Sequence, residues 1–216
     1  GKRVEDIWNL ILSNTRQPEE ISGDLHAMAG ACTVGAKRVG ELVAKYGLPA
    51  ILKSVAWILS YSEQRLRAEI RKWPKGTFTG RALLDHDFAG KRDIEVKAQV
   101  TVKDDSLIID LSGSSPQGGG FVNSVAANTI SNIYSSVVSI CPDIPVNSGY
   151  FRAVEVKLPP ASVVNCTPPM PVGHSTVCIG SDIMEAVMKA FEHVVPERVG
   201  AADIDLCNFR VYGTNS

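Results

Sequence analysis

The sequence lacks an excess of either charge, because its 22 lysine and arginine residues are balanced by 23 aspartate and glutamate residues. Proteins that bind nucleic acids or anionic membranes usually carry a clear basic surface. No apolar run reaches the ~18 residues that span a bilayer, and no signal peptide is evident. We therefore predict neither a nucleic acid nor a membrane as a partner.

Cysteine is also scarce, and no two cysteines form a CxxC pair. This argues against both a disulfide scaffold and a paired-cysteine metal site. The simplest interpretation is reduced thiols in a cytoplasmic protein, each behaving as a small buried hydrophobic side chain. The five positions are Cys32, Cys141, Cys166, Cys178 and Cys207.

The common phosphate and nucleophile motifs are missing as well. The stretch LSGSSPQGGGFVN, residues 111–123, follows a predicted strand and precedes a predicted helix. It has no Lys-Ser/Thr pair after its glycines, no G-x-G-x-x-G spacing and no G-x-S-x-G elbow. Two interpretations stay open: a tight structural turn, or a loop that contacts substrate or another chain. The polar candidates for such contact are Asp110, Ser112, Ser114, Ser115, Gln117 and Asn123.

The four histidines do not form a metal-binding pattern, since no two are four residues apart and none lies at ligand spacing from a cysteine or carboxylate. His193 follows a predicted helix, where a cation suits the helix dipole. His86 lies between Asp85 and Asp87 in a predicted strand, where surface polarity is the simpler explanation. His174 follows a glycine in a proline-rich loop that opens a helix, so it is either functional or a hydrogen-bonded loop residue.

The hydrophobic spacing predicts an α+β fold. Residues 1–75 are expected to form a helical hairpin or small bundle, with Pro18 and Pro49 opening helices and Gly47 ending one. Residues 76–216 are expected to form a mostly antiparallel sheet with buried helices, because apolar and polar residues alternate strictly over 94–102. The other predicted strands are 77–88, 107–111, 151–158 and 209–212, and the other predicted helices are 124–140 and 177–191.

Several stretches, in this order, resemble one known family. They are GDLHAMAGACTVGAKRVGELVAKYG, YSEQRLRAEIRKWPKGTF, DLSGSSPQ, DIPVNSGYFRAVEVKLPPASVVNCTPP and VPERVGAA. Their collinear order resembles the hydantoinase B/oxoprolinase family, which includes N-methylhydantoinase subunits, part of 5-oxoprolinase, and subunits of acetone and acetophenone carboxylases. The resemblance implies that this chain is the central part of a longer subunit.

The resemblance also implies an enzymatic role. A hydantoinase A-type partner would use ATP and magnesium to phosphorylate a cyclic amide, and this subunit would complete an ATP-dependent amide hydrolysis of the hydantoin or 5-oxoproline class. A divalent metal is implied in the full-length subunit, with ligands upstream of residue 1 and none in this chain. We therefore expect a hetero-oligomer in which this fragment alone is inactive.

Within that family setting, His174 and Gln117 are the candidate catalytic residues, and Asp110, Ser112, Ser114, Ser115 and Asn123 are the candidate substrate-binding residues. Two departures bear on the substrate: Gly113-Ser114-Ser115-Pro116-Gln117 replaces the usual Gly-Thr-Ser-Pro-Gln, and His174 lies near a position usually held by Asn. Two alternatives stay open. The chain could belong to an ATP-dependent ketone carboxylase, or it could be a non-catalytic module that docks the ATP-using partner.

Overall fold

The computed structural model describes residues 2–200. Its internal contacts divide the chain between Trp57 and Ile58 into two compact units. The division at residues 75 and 76 expected from the sequence stays a prediction.

The first unit is helical, as predicted. Helix α1 spans Glu5–Ser13 and helix α2 spans Pro18–Tyr46, with Pro18 in the first turn of α2. Gly47 follows α2 with a φ of +80°, a conformation that glycine adopts without strain. Helix α2 continues through its internal glycines, and neither α1 nor α2 contains a buried residue.

Helix α3, Leu48–Ile70, crosses the division between the units and buries Ser62, Leu66 and Ile70 near its end. In residues 2–200 no single helix has the length and apolar composition to cross a membrane, and only α2 taken together with α3 meets that test, by length and composition alone.

The second unit contains a four-stranded sheet in the order β1-β2-β3-β4, which confirms the predicted α+β class. Strands β1 to β3 pair in antiparallel fashion, whereas β4 runs parallel to β3. The sheet is therefore mostly antiparallel with one parallel pair. The strands are β1 Gly76–His86, β2 Arg92–Val102, β3 Leu107–Asp110 and β4 Val154–Lys157, and the remaining helices are α4 Ala126–Ile140 and α5 Ile179–Phe191.

The core of the second unit follows from the alternation that the sequence shows. Ile94, Val96, Ala98, Val100 and Val102 of β2 are all buried. Because side chains alternate between the two faces of a strand, this set presents one continuous apolar face.

Helix α5 packs onto β1 at Gly80, where an added Cβ would lie 2.1 Å from the carbonyl oxygen of Ala186. The close approach of helix and strand backbones therefore requires glycine at this position.

Three local expectations differ from the structure. The strand predicted over 151–158 begins only at Val154, because Tyr150–Ala153 forms a 3₁₀ turn around the buried Tyr150 ring. Cys32 is exposed, and of the described cysteines only Cys141 is buried. Asp87 is 1% exposed and so does not contribute surface polarity. The strand predicted over 209–212 lies outside the described residues.

Candidate functional site

Two serines of the loop LSGSSPQGGGFVN hydrogen-bond its start to β2. The Glu95 N–H donates to Ser115 Oγ over 2.9 Å, and the Lys97 N–H donates to Ser114 Oγ over 3.1 Å. Just before them, the Ser112 N–H donates to the carboxylate of Asp110 over 2.8 Å. The structure therefore places these four predicted site residues in hydrogen bonds that set the path of the loop.

The buried Asp87 carboxylate contacts the glycine segment of the loop, residues 118–120. Its carboxylate accepts the N–H groups of Ala89 at 2.8 Å and Lys91 at 2.9 Å, and that of Gly120 in the loop at 3.2 Å. Burial by itself would raise the pKa of Asp87, but these main-chain hydrogen bonds outweigh it and the pKa is lowered. The side chain is therefore a carboxylate fixed between two backbone segments.

Two glycines allow this approach. An added Cβ at Gly120 would lie 1.6 Å from the carbonyl oxygen of Asp87, and one at Gly118 would lie 2.7 Å from its carboxylate. Contacts below about 3 Å to backbone atoms cannot be accommodated without movement. Close packing on Asp87 thus explains why Gly118 and Gly120 are glycines.

Asn123 and Gln117 join this loop to the proline-rich loop before α5. The amide of Asn123 donates to the carbonyl oxygens of Gly120 at 2.7 Å and Pro171 at 3.0 Å, and the side chain is fully buried. Gln117 Oε1 accepts the Thr167 N–H at 2.9 Å. The structure therefore brings Gln117, Asn123 and the loop that carries His174 together, as a functional site would require.

An exposed group of rings lies where the two loops meet. Phe88 and Phe121 stack in parallel, with centroids 4.8 Å apart and an interplanar angle of 12°. His174 lies edge-on to Phe121 at 4.6 Å, and His86 lies edge-on to Phe88 at 4.3 Å. We call these four side chains the aromatic surface.

Phe88 occupies a strained position within the aromatic surface. Its φ is +64°, a region that bulky side chains rarely adopt, and 57% of the residue is exposed. The Asp87 carboxylate accepts hydrogen bonds from the Ala89 and Lys91 N–H groups, and these bonds fix the turn that holds Phe88 there. Strain of this kind, about 1–3 kcal/mol, tends to occur at functional sites.

His174 contacts a thiol as well as the rings. Its Nδ1 lies 3.7 Å from Cys178 Sγ, and its main-chain N–H donates to the carbonyl oxygen of Phe121 over 2.9 Å. The expectation that no histidine lies at ligand spacing from a cysteine was therefore wrong for this pair. The i,i+4 spacing could have revealed it, since two such positions meet when they lie in a helical turn.

The described residues do not supply the metal site that the family resemblance implies. Between residues 2 and 200 no group of three or more His, Cys, Asp or Glu side chains is placed to hold a metal ion. Catalytic zinc sites usually have three protein ligands, and structural zinc sites have four. The metal ligands that the resemblance implies upstream of residue 1 remain a prediction.

The fold and this two-loop site define an α+β chain with a mostly antiparallel four-stranded sheet, and the comparisons with known proteins identify its family. The family model described as hydantoinase B/oxoprolinase matches residues 1–216, and the chain belongs to that family.

Two curated relatives are similar over most of the chain. The beta subunit of the caprolactamase of Pseudomonas jessenii is 33% identical over 94% of this chain and 35% of its own length. The putative B-type subunit of a D-/L-hydantoinase of Pseudomonas sp. (strain NS671) is 31% identical over 93% of this chain and 36% of its own length. The chain thus spans about a third of the length of these relatives.

Two solved structures share the fold. The crystal structure of the ATP-dependent caprolactamase from Pseudomonas jessenii aligns with a TM-score of 0.85 and 32% identity, over 92% of this chain and 34% of that one. A nucleotide-free acetone carboxylase aligns with a TM-score of 0.80 and 21% identity, over 93% of this chain and 29% of that one. At that lower identity the second likeness concerns the fold alone.

Proposed function

We propose that this chain is part of the hydantoinase B-type subunit of an ATP-dependent cyclic-amide hydrolase. The observation that carries the proposal is the joint sequence and structural similarity to caprolactamase, at 33% identity and a TM-score of 0.85 over more than nine-tenths of the chain. The hydantoinase relative at 31% identity supports the same class of substrate. The expected partner is a hydantoinase A-type subunit that uses ATP and magnesium.

The proposed chemistry divides between the two subunits. The partner phosphorylates the amide oxygen, which makes the amide carbon more electrophilic, and this subunit completes the hydrolysis. His174 is the proposed proton-transfer residue, because an imidazole both accepts and donates protons near neutral pH and its ring is exposed on the aromatic surface. The stacked phenyl rings supply an apolar face for the ring of a lactam or hydantoin.

Gln117 is the second proposed catalytic residue. Its Oε1 accepts the Thr167 N–H, and we propose that its amide N–H group donates to the developing oxyanion. Asp110, Ser112, Ser114, Ser115 and Asn123 are the proposed substrate-binding residues. Their hydrogen bonds to the loop and to β2 support a role in holding the shape of the site. A divalent metal bound outside residues 1–216 and a cytoplasmic location remain predictions.

The alternative of an ATP-dependent ketone carboxylase has weaker support, because the acetone carboxylase likeness concerns the fold alone. The decisive experiment supplies the full-length complex with ATP and either caprolactam, hydantoin or 5-oxoproline, or with a ketone and labelled bicarbonate. We expect ring opening coupled to ATP hydrolysis. Label fixed into a β-keto acid with no cyclic amide opened would contradict the proposal.

A second experiment separates a site from a docking module. We expect His174→Ala to reduce turnover strongly while the complex keeps its size by gel filtration. The matched control is His193→Ala, at an exposed histidine just after α5, which should leave turnover unchanged. Loss of assembly in His174→Ala, with normal turnover in the complex that still forms, would favour docking.

A further inference from the structure

Cys178 has a local environment that sets it apart from the other described cysteines. Its sulfur lies 3.7 Å from His174 Nδ1, and it occupies the N-cap position of α5. Cys178 is half-buried and His174 beside it is exposed, so the pair lies at the surface of the protein. A neighbouring imidazole and the N–H groups of a helix N-terminus both favour the thiolate form of cysteine.

The other described thiols lack this combination. Burial raises the pKa of Cys141 to about 11, and burial also raises the pKa of Cys166. Cys32 is exposed on α2, in the other compact unit. These differences make Cys178 the described cysteine whose surroundings combine access with a base in contact.

One charged neighbour on α5 acts in the opposite direction. Asp182 is buried one helical turn beyond Cys178, and its N–H donates to the Cys178 carbonyl oxygen over 3.5 Å. An ionised carboxylate on the same helical turn disfavours a second negative charge nearby. The reactivity of Cys178 must therefore come from proton removal by His174 during the reaction, and the role of the imidazole can be tested directly.

We propose that Cys178 and His174 form a covalent modification site for small soft electrophiles of the α,β-unsaturated carbonyl class. His174 Nδ1, in the tautomer that carries its proton on Nε2, takes the thiol proton. The sulfur forms a bond to the β-carbon while the electron pair of the C=C bond moves towards the carbonyl. The proton then passes from His174 to the α-carbon. The product is a saturated thioether, and no further reactant is consumed.

Modification of Cys178 is expected to affect the aromatic surface, because the adduct lies beside it. The His174 main chain is bonded to Phe121 and its ring lies against the Phe121 ring, so a thioether on Cys178 lies beside the aromatic surface. Modification would therefore block the surface to which we assign substrate binding. The chemical proposal does not depend on that function, because labelling is measured without turnover.

The test uses N-ethylmaleimide, an α,β-unsaturated imide, on the full-length subunit in its complex. Peptide mass spectrometry at pH 7 gives the labelling rate of each cysteine. We expect Cys178 to react about tenfold faster than N-acetylcysteine. His174 removes the thiol proton of Cys178, whereas an ordinary thiol is only a few per cent ionised at this pH. A rate equal to or below that of N-acetylcysteine would overturn the proposal.

The role of His174 is tested by substitution. His174→Gln should lower the rate at Cys178 about tenfold, while the buried Cys141 stays unlabelled in the same sample and so reports an intact fold. His193→Gln should leave the rate at Cys178 unchanged, and Cys178→Ser should remove only the Cys178 adduct. An unchanged rate at Cys178 in His174→Gln would show that the imidazole does not act on the thiol, whatever the result for turnover.

Discussion

Asp87 is a buried carboxylate whose hydrogen bonds go to main-chain N–H groups of its own turn and of the glycine loop. Removing its charge leaves these donors poorly matched, and hydrogen bonds to a charged group each contribute about 1.5–3 kcal/mol. We expect Asp87→Asn to lower the free energy of unfolding by about 2–3 kcal/mol at pH 7. Urea denaturation of the full-length subunit measures this change. Asp85→Asn, at an exposed neighbour, should stay within about 0.5 kcal/mol.

The Asp87→Asn substitution also predicts how stability depends on pH. The folded-state pKa of Asp87 is lowered from its usual 3.8. Stability from such a group is complete above the unfolded-state pKa and is lost as pH falls through the folded-state pKa. The gap in stability between the parent protein and Asp87→Asn should therefore be constant from pH 7 to about 5 and shrink at lower pH. A gap that widens on acidification would contradict the lowered pKa.

Gly120 tests the close approach of the loop to Asp87. We expect Gly120→Ala to destabilise the protein by about 1–3 kcal/mol, because its Cβ would overlap a backbone carbonyl. Gly119→Ala is the matched control, since the nearest atom to its Cβ would be Ala89 Cβ at 3.9 Å. Thermal unfolding of the two variants measures the difference. Equal midpoints would mean that the loop moves away from Asp87 without cost.

At the level of elements, the packing of α5 on β1 rests on Gly80. An added Cβ would meet the Ala186 carbonyl oxygen at 2.1 Å and the Ala190 nitrogen at 2.5 Å, both in a continuous helix that has little freedom to yield. We expect Gly80→Ala to cost about 3 kcal/mol or more, at or above the upper end of overpacking effects. The measurement is urea denaturation of Gly80→Ala and Gly120→Ala side by side, again with Gly119→Ala as control. If Gly80→Ala lowered the free energy of unfolding less than Gly120→Ala does, the helix would shift more easily than the loop.

Regular elements were predictable because their signals are local. The strict alternation of β2 and the prolines at the start of α2 and α3 act within a few residues of the chain. The parallel pairing of β4 with β3 was not predictable, since it joins Leu107 to Val154 across the sequence. The late start of β4 has the same origin: the Tyr150 hydroxyl donates to the Val137 carbonyl oxygen in α4, and this long-range contact favours the 3₁₀ turn.

The candidate site was predictable only in part, because its local features are visible in the sequence and the contacts between its two loops are not. The glycine loop and His174 stand out in the sequence, but their meeting depends on the hydrogen bond from Asn123 to Pro171. The burial of Asp87 depends on Gly120, which lies 33 residues away in the sequence. Nothing local distinguishes Phe88 as a strained, exposed ring, because its conformation is imposed by that buried carboxylate.

At the level of the whole molecule, the first compact unit has many apolar side chains and little to cover them. Exposed apolar residues occur along both of its complete helices, and neither α1 nor α2 buries a residue. Helices in proteins draw most of their stability from the packing of an apolar face. The curated relatives are about three times as long as this chain. We therefore expect further protein to cover α2 in the intact molecule.

Hydrogen exchange tests this expectation. The amides of α2 should exchange at least about tenfold faster in a chain of residues 1–216 than in the full-length complex, because local opening is easy where few apolar contacts are made. The amides of β2 are the internal control: their side chains are already buried in the second unit, so their exchange should change much less. Equal exchange of α2 in both samples would mean that its apolar residues stay in contact with water, and that the stability of this helix comes from its own sequence.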